Sequence, residues 1–344
     1  MIKIAMFDTR NYDKESFDKY VNENVSITYF ETKLNEKTVD LTKGYDAVCV
    51  FVNDNINAEV IEKLHSFGVK IIALRCAGYN NVDLNKAFGR IHVVHVPAYS
   101  PYAVAEHAMA LLLTSIRRIH KAYNRTKEFN FSLDGLTGFN LNGKTVGVIG
   151  TGKIGRIFID ICKGFGMNVL AYDKFPNTSL DVKYVSLDEI FKQSDIISLH
   201  CPLTEETKYL INKDAIGKMK KGIVIINTSR GALIDSEALL EGIKERKVGA
   251  ACLDVYEEES NIFFKDYSGH IIDDDVLARL ISMPNVIVTS HQAFLTNEAL
   301  NNIAETTVNN ILSYFVNDGL CDNELCYRCG NIERCKNERK QRCF

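Results

Sequence analysis

The chain has 344 residues, 46% of them hydrophobic and 25% charged; this is more than one hydrophobic core usually organises, so two domains are expected, and the balance excludes a disordered polymer. The formal net charge of -3 offers no electrostatic basis for binding DNA or RNA. No apolar run approaches the roughly 20 residues needed to span a bilayer, and the opening Met1-Ile2-Lys3-Ile4-Ala5-Met6-Phe7-Asp8 reads as a strand without the core or cleavage site of a signal peptide. The expectation is a cytoplasmic protein with no nucleic-acid and no membrane partner.

In chain order, residues 2–7 and 47–52 are expected strands. Residues 58–67 have helical spacing and stop at Gly68, a C-cap position. Strands follow at 70–76 and 92–96. Such β-α-β alternation implies a parallel sheet covered by helices. Pro97 and Pro101 bracket Ala98-Tyr99-Ser100, and Pro101 suits the opening turn of a long Ala-, Leu- and Met-rich helix over 103–124. A second α/β unit begins near Lys144. Its apolar runs at 145–149, 169–172, 196–200, 223–227, 250–253 and 286–289 have the length of buried parallel strands and the number of a doubly wound six-stranded sheet.

Gly150-Thr151-Gly152-Lys153-Ile154-Gly155 follows directly on the 145–149 strand and opens a helical segment over 156–165. The first glycine permits the tight turn, the second lets the backbone approach a pyrophosphate, and the third allows helix to pack on strand. N–H groups at the helix start then hold phosphates. The next strand ends in Asp173, an acid able to accept the ribose hydroxyls and repel a 2′-phosphate, which favours NAD over NADP. Lys174 follows at once and works against that preference.

Further along, Asn227-Thr228-Ser229-Arg230-Gly231, Asp254-Val255-Tyr256-Glu257-Glu258-Glu259 and Thr289-Ser290-His291-Gln292-Ala293-Phe294 lie at expected carboxyl ends of strands, where ligands bind in open α/β sheets. Taken singly, such a histidine is more often structural, and such an arginine or glutamate more often a solvated charge. Arg, Glu and His arriving in register make a polar site instead.

With these motifs and Arg75-Cys76-Ala77-Gly78-Tyr79-Asn80-Asn81-Val82-Asp83 and Pro97-Ala98-Tyr99-Ser100-Pro101, the chain resembles the D-isomer-specific 2-hydroxyacid dehydrogenases from residue 1 to about 325, and among them the D-lactate dehydrogenases as a group. The resemblance implies two Rossmann-like doubly wound parallel-sheet domains with a cleft between them. Residues 1–100 with 300–330 would form the substrate domain, and 101–299 the NAD-binding domain. It implies that His291 is the acid/base, that Glu259 (chosen by its spacing from Asp254 over Glu257 and Glu258) hydrogen-bonds it, and that Arg230 clamps the substrate carboxylate or polarises its carbonyl. Histidine chemistry near neutral pH and the planar guanidinium fork suit those tasks. A neighbouring carboxylate favours the protonated imidazole that reduction needs.

The same resemblance places the substrate carboxylate on the backbone of Ala77, Gly78 and Tyr79. It puts Tyr99 at the substrate from the hinge, with Phe51 and Phe294 as pocket walls that favour a small side chain. Toward NAD it assigns Gly150, Gly152, Lys153, Ile154 and Gly155 to the pyrophosphate, and Asp173, Cys201 and Pro202 to the adenosine. Thr228 and Ser229, with Arg230, lie along the nicotinamide side. Asp254 takes the carboxamide, and Thr207 a weaker loop position. The implied activity is reduction of a small 2-keto acid such as pyruvate; a larger 2-keto acid, or a non-catalytic NAD-sensing protein of the same fold, are the alternatives. A homodimer or homotetramer is implied, with the helix after Pro101 as an interface element.

Of ten cysteines, Cys49, Cys76, Cys162, Cys201 and Cys252 lie in apolar or loop segments and read as reduced, mostly buried thiols. Cys321, Cys326, Cys329, Cys335 and Cys343 crowd the tail. CxxC is a common zinc half-site, but the second half-site is badly spaced and few apolar residues are present to build a knuckle. Residues 331–344 are expected to be disordered with reduced thiols and no metal; bound zinc and regulatory disulfides are the alternatives.

Overall fold

The computed structural model describes residues 1–259, 262–316 and 322–327; the cysteine-rich 331–344 segment lies outside them. The thirteen strands among the described residues fall in two sheets. They are β1 (Ile2–Met6), β2 (Val25–Tyr29), β3 (Ala47–Val50), β4 (Ile71–Leu74), β5 (His92–Val94), β6 (Thr145–Ile149), β7 (Asn168–Tyr172), β8 (Lys183–Tyr184), β9 (Ile196–Leu199), β10 (Ile223–Asn227), β11 (Val248–Leu253), β12 (Val286–Val288) and β13 (Glu324–Leu325). One compact unit is built from Met1–Ser100 and the described residues from Thr296 on, the other from Pro101–Leu295. The return to the first unit falls at Thr296 rather than at 300 because the whole Asn297–Val316 helix belongs there: Asn302 donates to the carbonyl of Tyr99 at 2.6 Å and Lys19 to Asn301 at 2.6 Å.

In the first unit the sheet order is β13-β5-β4-β3-β1-β2, parallel except for β13. β3 and β4 are buried throughout, the signature of strands covered on both faces. β2 was not among the expected strands, although Val25, Ile27 and Tyr29 alternate with Ser26 and Thr28. In the second unit the order is β12-β11-β10-β9-β6-β7-β8, all parallel. The six expected strands are present, but the sheet has seven. The extra one, β8, is two residues long and half-polar, too short to register as a hydrophobic period.

Alternation on a doubly covered sheet builds two cores in the second unit. Ile223 and Ile225 join one cluster with Leu199, Leu239 and Leu277, while Val224 and Ile226 join the other with Leu112, Phe158 and Ile159. Each fully buried aliphatic side chain contributes about 1.5–3 kcal/mol, so neither face tolerates a polar residue without a partner.

The helix expected over 103–124 is two helices, Pro101–Arg117 and Ile119–Lys127, broken at Arg118 in the left-handed region (φ 54). Arginine is a good helix former, so nothing local announced the break. No helix among the described residues is long and apolar enough to cross a membrane.

Candidate active site

The glycine-rich turn joins β6 to the Lys153–Gly164 helix. Gly150 has φ +96, and a Cβ there would lie 2.5 Å from the His200 carbonyl; a Cβ on Gly155 would lie 2.0 Å from the Gly150 oxygen. Around Gly152 a Cβ would meet nothing within 4 Å. It caps the helix without a side-chain bond, so the first helical N–H groups of Lys153 and Ile154 face an open cradle, as an anion site requires. His200 closes the turn from behind. Burial holds its pKa down to about 3, so it is a neutral packing group against Phe158.

Asp173 lies just past β7. One carboxylate oxygen accepts the Thr151 N–H at 2.6 Å and its hydroxyl at 3.0 Å, and the other accepts the Phe175 N–H at 2.8 Å. The acid is thus held against the glycine-rich turn. Lys174 pairs with Glu206 at 2.5 Å. The Thr207 hydroxyl donates to the Pro202 carbonyl at 2.7 Å and so clips its own loop. Beside it, burial pushes the Cys201 thiol up to about 11. Thr228 is buried, and its hydroxyl has no partner among the described residues. An open glycine cradle, an acid at the end of the next strand and an orphaned hydroxyl on a neighbouring strand end fit a dinucleotide.

The loops after β10, β11 and β12 carry the charged residues. Asn227 at the end of β10 accepts the Ser229 N–H at 3.0 Å and donates to the Arg230 carbonyl at 2.9 Å, while the Ser229 hydroxyl donates to the Leu199 carbonyl at 2.8 Å. A Cβ on Gly231 would lie 2.0 Å from the Tyr256 carbonyl carbon, so this turn presses directly on the Tyr256–Glu257 backbone. The Arg230 guanidinium is exposed and bonds its neighbour's carbonyl, Ser229 O, at 2.7 Å, not Glu259 or His291.

His291 and Glu259 do meet. Nδ1 of His291 lies 2.7 Å from Oε1 of Glu259, with both side chains about a quarter exposed (23% and 25%). The second carboxylate oxygen accepts the Tyr256 N–H at 3.0 Å. A carboxylate can only accept, so Nδ1 carries the proton and Nε2 is the nitrogen left for substrate. The Phe264 ring lies 6.1 Å from the imidazole.

Asp254, expected at the carboxamide, is instead wholly enclosed. Oδ1 accepts the Thr289 hydroxyl at 2.5 Å and the Gln292 N–H at 2.9 Å, Oδ2 the Ala293 N–H at 2.9 Å. Burial raises its pKa, but the bonds from His107, Thr289, Gln292 and Ala293 outweigh burial and hold the carboxyl below its ordinary value. Its carbonyl also accepts the His291 N–H at 2.7 Å. Asp254 therefore shapes the loop that carries His291. Phe294, on the same loop, is buried.

In the first unit, the half-buried Ala77-Gly78-Tyr79 segment uses none of its three backbone N–H groups in a hydrogen bond among the described residues. Successive unpaired N–H groups form an anion-binding concavity. Three residues that the sequence reading left without a role brace this segment or the chain on either side of it. His95 Nδ1 lies 3.0 Å from the Ala77 carbonyl, and its ring stands edge-on to Tyr79. Asn81 donates to the carbonyls of Phe51 and Asp54 at 2.8 and 3.0 Å. Buried Arg75 donates to Asp13 and to the carbonyls of Phe7 and Asp8, with its guanidinium 4.6 Å from the Phe51 ring. Asp54 accepts the Phe51 and Leu34 N–H groups, each at 2.6 Å, and burial raises its pKa to about 6. Tyr99 is half-buried. Only Arg75 and Asn81 lay inside a quoted motif; His95 meets the carbonyl of Ala77 and Asp54 the N–H of Leu34, both far off in sequence.

A family model for the D-isomer specific 2-hydroxyacid dehydrogenase NAD binding domain matches residues 109–293. The chain is 52% identical over 331 residues to the D-lactate dehydrogenase of Escherichia coli, covering 94% of this chain and 100% of that protein. The chain belongs to the D-isomer specific 2-hydroxyacid dehydrogenases. Among solved structures, the apo form of D-lactate dehydrogenase from Escherichia coli matches with TM-score 0.86 at 49% identity, over 94% of this chain and 100% of that one. D-lactate dehydrogenase from Aquifex aeolicus, complexed with NAD and lactic acid, matches with TM-score 0.80 at 35% identity, over 92% and 96%. This member of the family is an NAD-dependent dehydrogenase.

Proposed function

We propose that this dehydrogenase reduces pyruvate to D-lactate with NADH, and catalyses the reverse reaction. The observation that carries the reading is the 2.7 Å His291–Glu259 pair, set on loops at the carboxyl end of the sheet that also bears the glycine-rich turn. When bound, the nicotinamide supplies the hydride. His291 donates its Nε2 proton to the keto oxygen, and Glu259 retains Nδ1–H and offsets the imidazolium charge. Arg230, free of any acidic partner among the described residues, pairs with the substrate carboxylate or polarises its carbonyl. The backbone N–H groups of Ala77, Gly78 and Tyr79 are the proposed donors to a substrate carboxylate. Tyr99, Phe51 and Phe294 are the residues proposed to meet the substrate side chain.

Gly150, Gly152, Lys153, Ile154 and Gly155 would hold the pyrophosphate, Asp173 the ribose, Cys201, Pro202 and Thr207 the adenosine side, and Thr228 and Ser229 the nicotinamide side. Asp254 serves that side by fixing the 289–293 loop. The enzyme is expected in the cytoplasm as a homodimer or homotetramer. Exposed Tyr102, Ile119, Tyr123, Phe129, Phe131 and Leu133 supply apolar surface for self-association.

The test is NADH oxidation with pyruvate and with longer 2-keto acids, for the wild type and His291→Gln. Pyruvate should give the highest kcat/KM, and the substitution should lower kcat by about 10²–10⁴-fold, the usual range for a general acid. Wild-type turnover in His291→Gln would refute the assignment, a preference for a longer acid would move the substrate, and NADH binding without any turnover would indicate a sensor.

A further inference from the structure

His291 sits in the left-handed region at φ 53, a conformation histidine tolerates but a chain seldom keeps without outside support. The support comes from Asp254, whose carbonyl takes the His291 N–H at 2.7 Å and whose carboxylate takes the N–H groups of Gln292 and Ala293 on its far side. The acid's orientation thus sets that of the histidine's backbone. Holding the acid in turn is a residue from the Pro101–Arg117 helix. Nε2 of His107 lies 3.3 Å from Oδ1 of Asp254 and 3.2 Å from Oγ1 of Thr289.

The donor directions follow from valence. Thr289 has one hydroxyl proton, and it goes to the carboxylate at 2.5 Å. Toward His107 its oxygen can then only accept, as can the carboxylate. Nε2 must carry a proton shared between the two oxygens. The chain of contacts runs from the helix through His107, Thr289 and Asp254 to the backbone of His291, and all of it lies within Pro101–Leu295.

We propose that His107 is a positioning residue for the reaction: its Nε2–H, acting with the Thr289 hydroxyl, locks Asp254 in the orientation that aims His291. The inference rests on the reading of His291 as proton donor. It gives α-helix residue 107 a role in turnover without contact with substrate or cofactor.

The test uses the full chain with NADH and pyruvate. His107→Phe removes the donor and is expected to lower kcat by about 10- to 100-fold, the scale of a misaimed catalytic group, while KM, NADH affinity and Tm stay close to wild type. His107→Gln can present an amide N–H near the Nε2 position and should recover most of the lost kcat. Thr289→Val breaks the same chain from the other side and should show the same kcat-selective loss; it carries the test if His107→Phe does not fold. Wild-type kcat in Thr289→Val or in a folded His107→Phe overturns the proposal. So does a parallel loss of kcat, NADH affinity and Tm that His107→Gln fails to rescue. His291→Gln separates the two readings. Turnover that survives it removes the acid–base assignment and this inference together. Turnover that it abolishes, while His107→Phe and Thr289→Val remain fully active, removes this inference alone.

Discussion

His95 couples a half-buried titratable group to the segment assigned to the substrate carboxylate. Burial lowers its pKa below the ordinary histidine value, against a smaller opposing effect of the Ala77 carbonyl. The folded state therefore keeps the imidazole neutral, with Nδ1–H donated to Ala77. As pH falls through about 6.5, the unfolded chain binds a proton that the folded chain resists, so this contribution to stability declines on acidification. The stability advantage of the wild type over His95→Gln should shrink between pH 7.5 and 5.5, read from urea unfolding at each pH. An advantage that is constant or grows on acidification would show that His95 is not held neutral by the fold. The His291–Glu259 pair was legible as residue types at a family spacing. The groups that hold the site, His95 and Asp54 among them, were not, because an isolated histidine or aspartate carries no sign of the carbonyl or N–H it will meet.

Among the elements, the break between the Pro101–Arg117 and Ile119–Lys127 helices is the clearest departure from periodicity. Left-handed geometry costs a side chain with a Cβ about 1–2 kcal/mol, and glycine avoids this while losing about 0.5–1 kcal/mol through chain entropy. Arg118→Gly should therefore stabilise the protein by up to about 1.5 kcal/mol, seen as a higher urea midpoint at unchanged slope. Destabilisation would mean that the Arg118 side chain makes contacts worth more than the strain. The glycine-rich turn is the opposite case, because there the geometry was announced. A Cβ at 155 meets the Gly150 oxygen at 2.0 Å, so Gly155→Ala must spread strand and helix apart. NADH binding should be lost or strongly weakened in a fluorescence titration; unchanged affinity would show that the turn can open without consequence.

For the whole molecule, a cofactor that binds only the folded form stabilises by mass action. NADH at about 100 times its Kd should add about 2.7 kcal/mol to the unfolding free energy of the Pro101–Leu295 unit. Hydrogen exchange should slow at the Gly150–Gly155 turn and at the Thr228–Arg230 loop, with little change in β1, β3 and β4. Equal protection of both sheets by NADH alone would contradict a site confined to the second unit's loops. The order of apolar runs, the turn glycines and Asp173 together determined a two-sheet α/β chain with a dinucleotide cradle, since hydrophobic period and glycine geometry are local properties. β8 and β13, each two residues long, were beyond that reach. Only the tertiary structure decided that Asp254 faces inward onto His107 and Thr289, that His95 braces Ala77, and that Arg230 is left exposed and bonded to the Ser229 carbonyl. Those outcomes depend on which distant side chains the packed sheets bring within 3 Å or so, and hydrogen-bond reach of that kind has no counterpart in residue order.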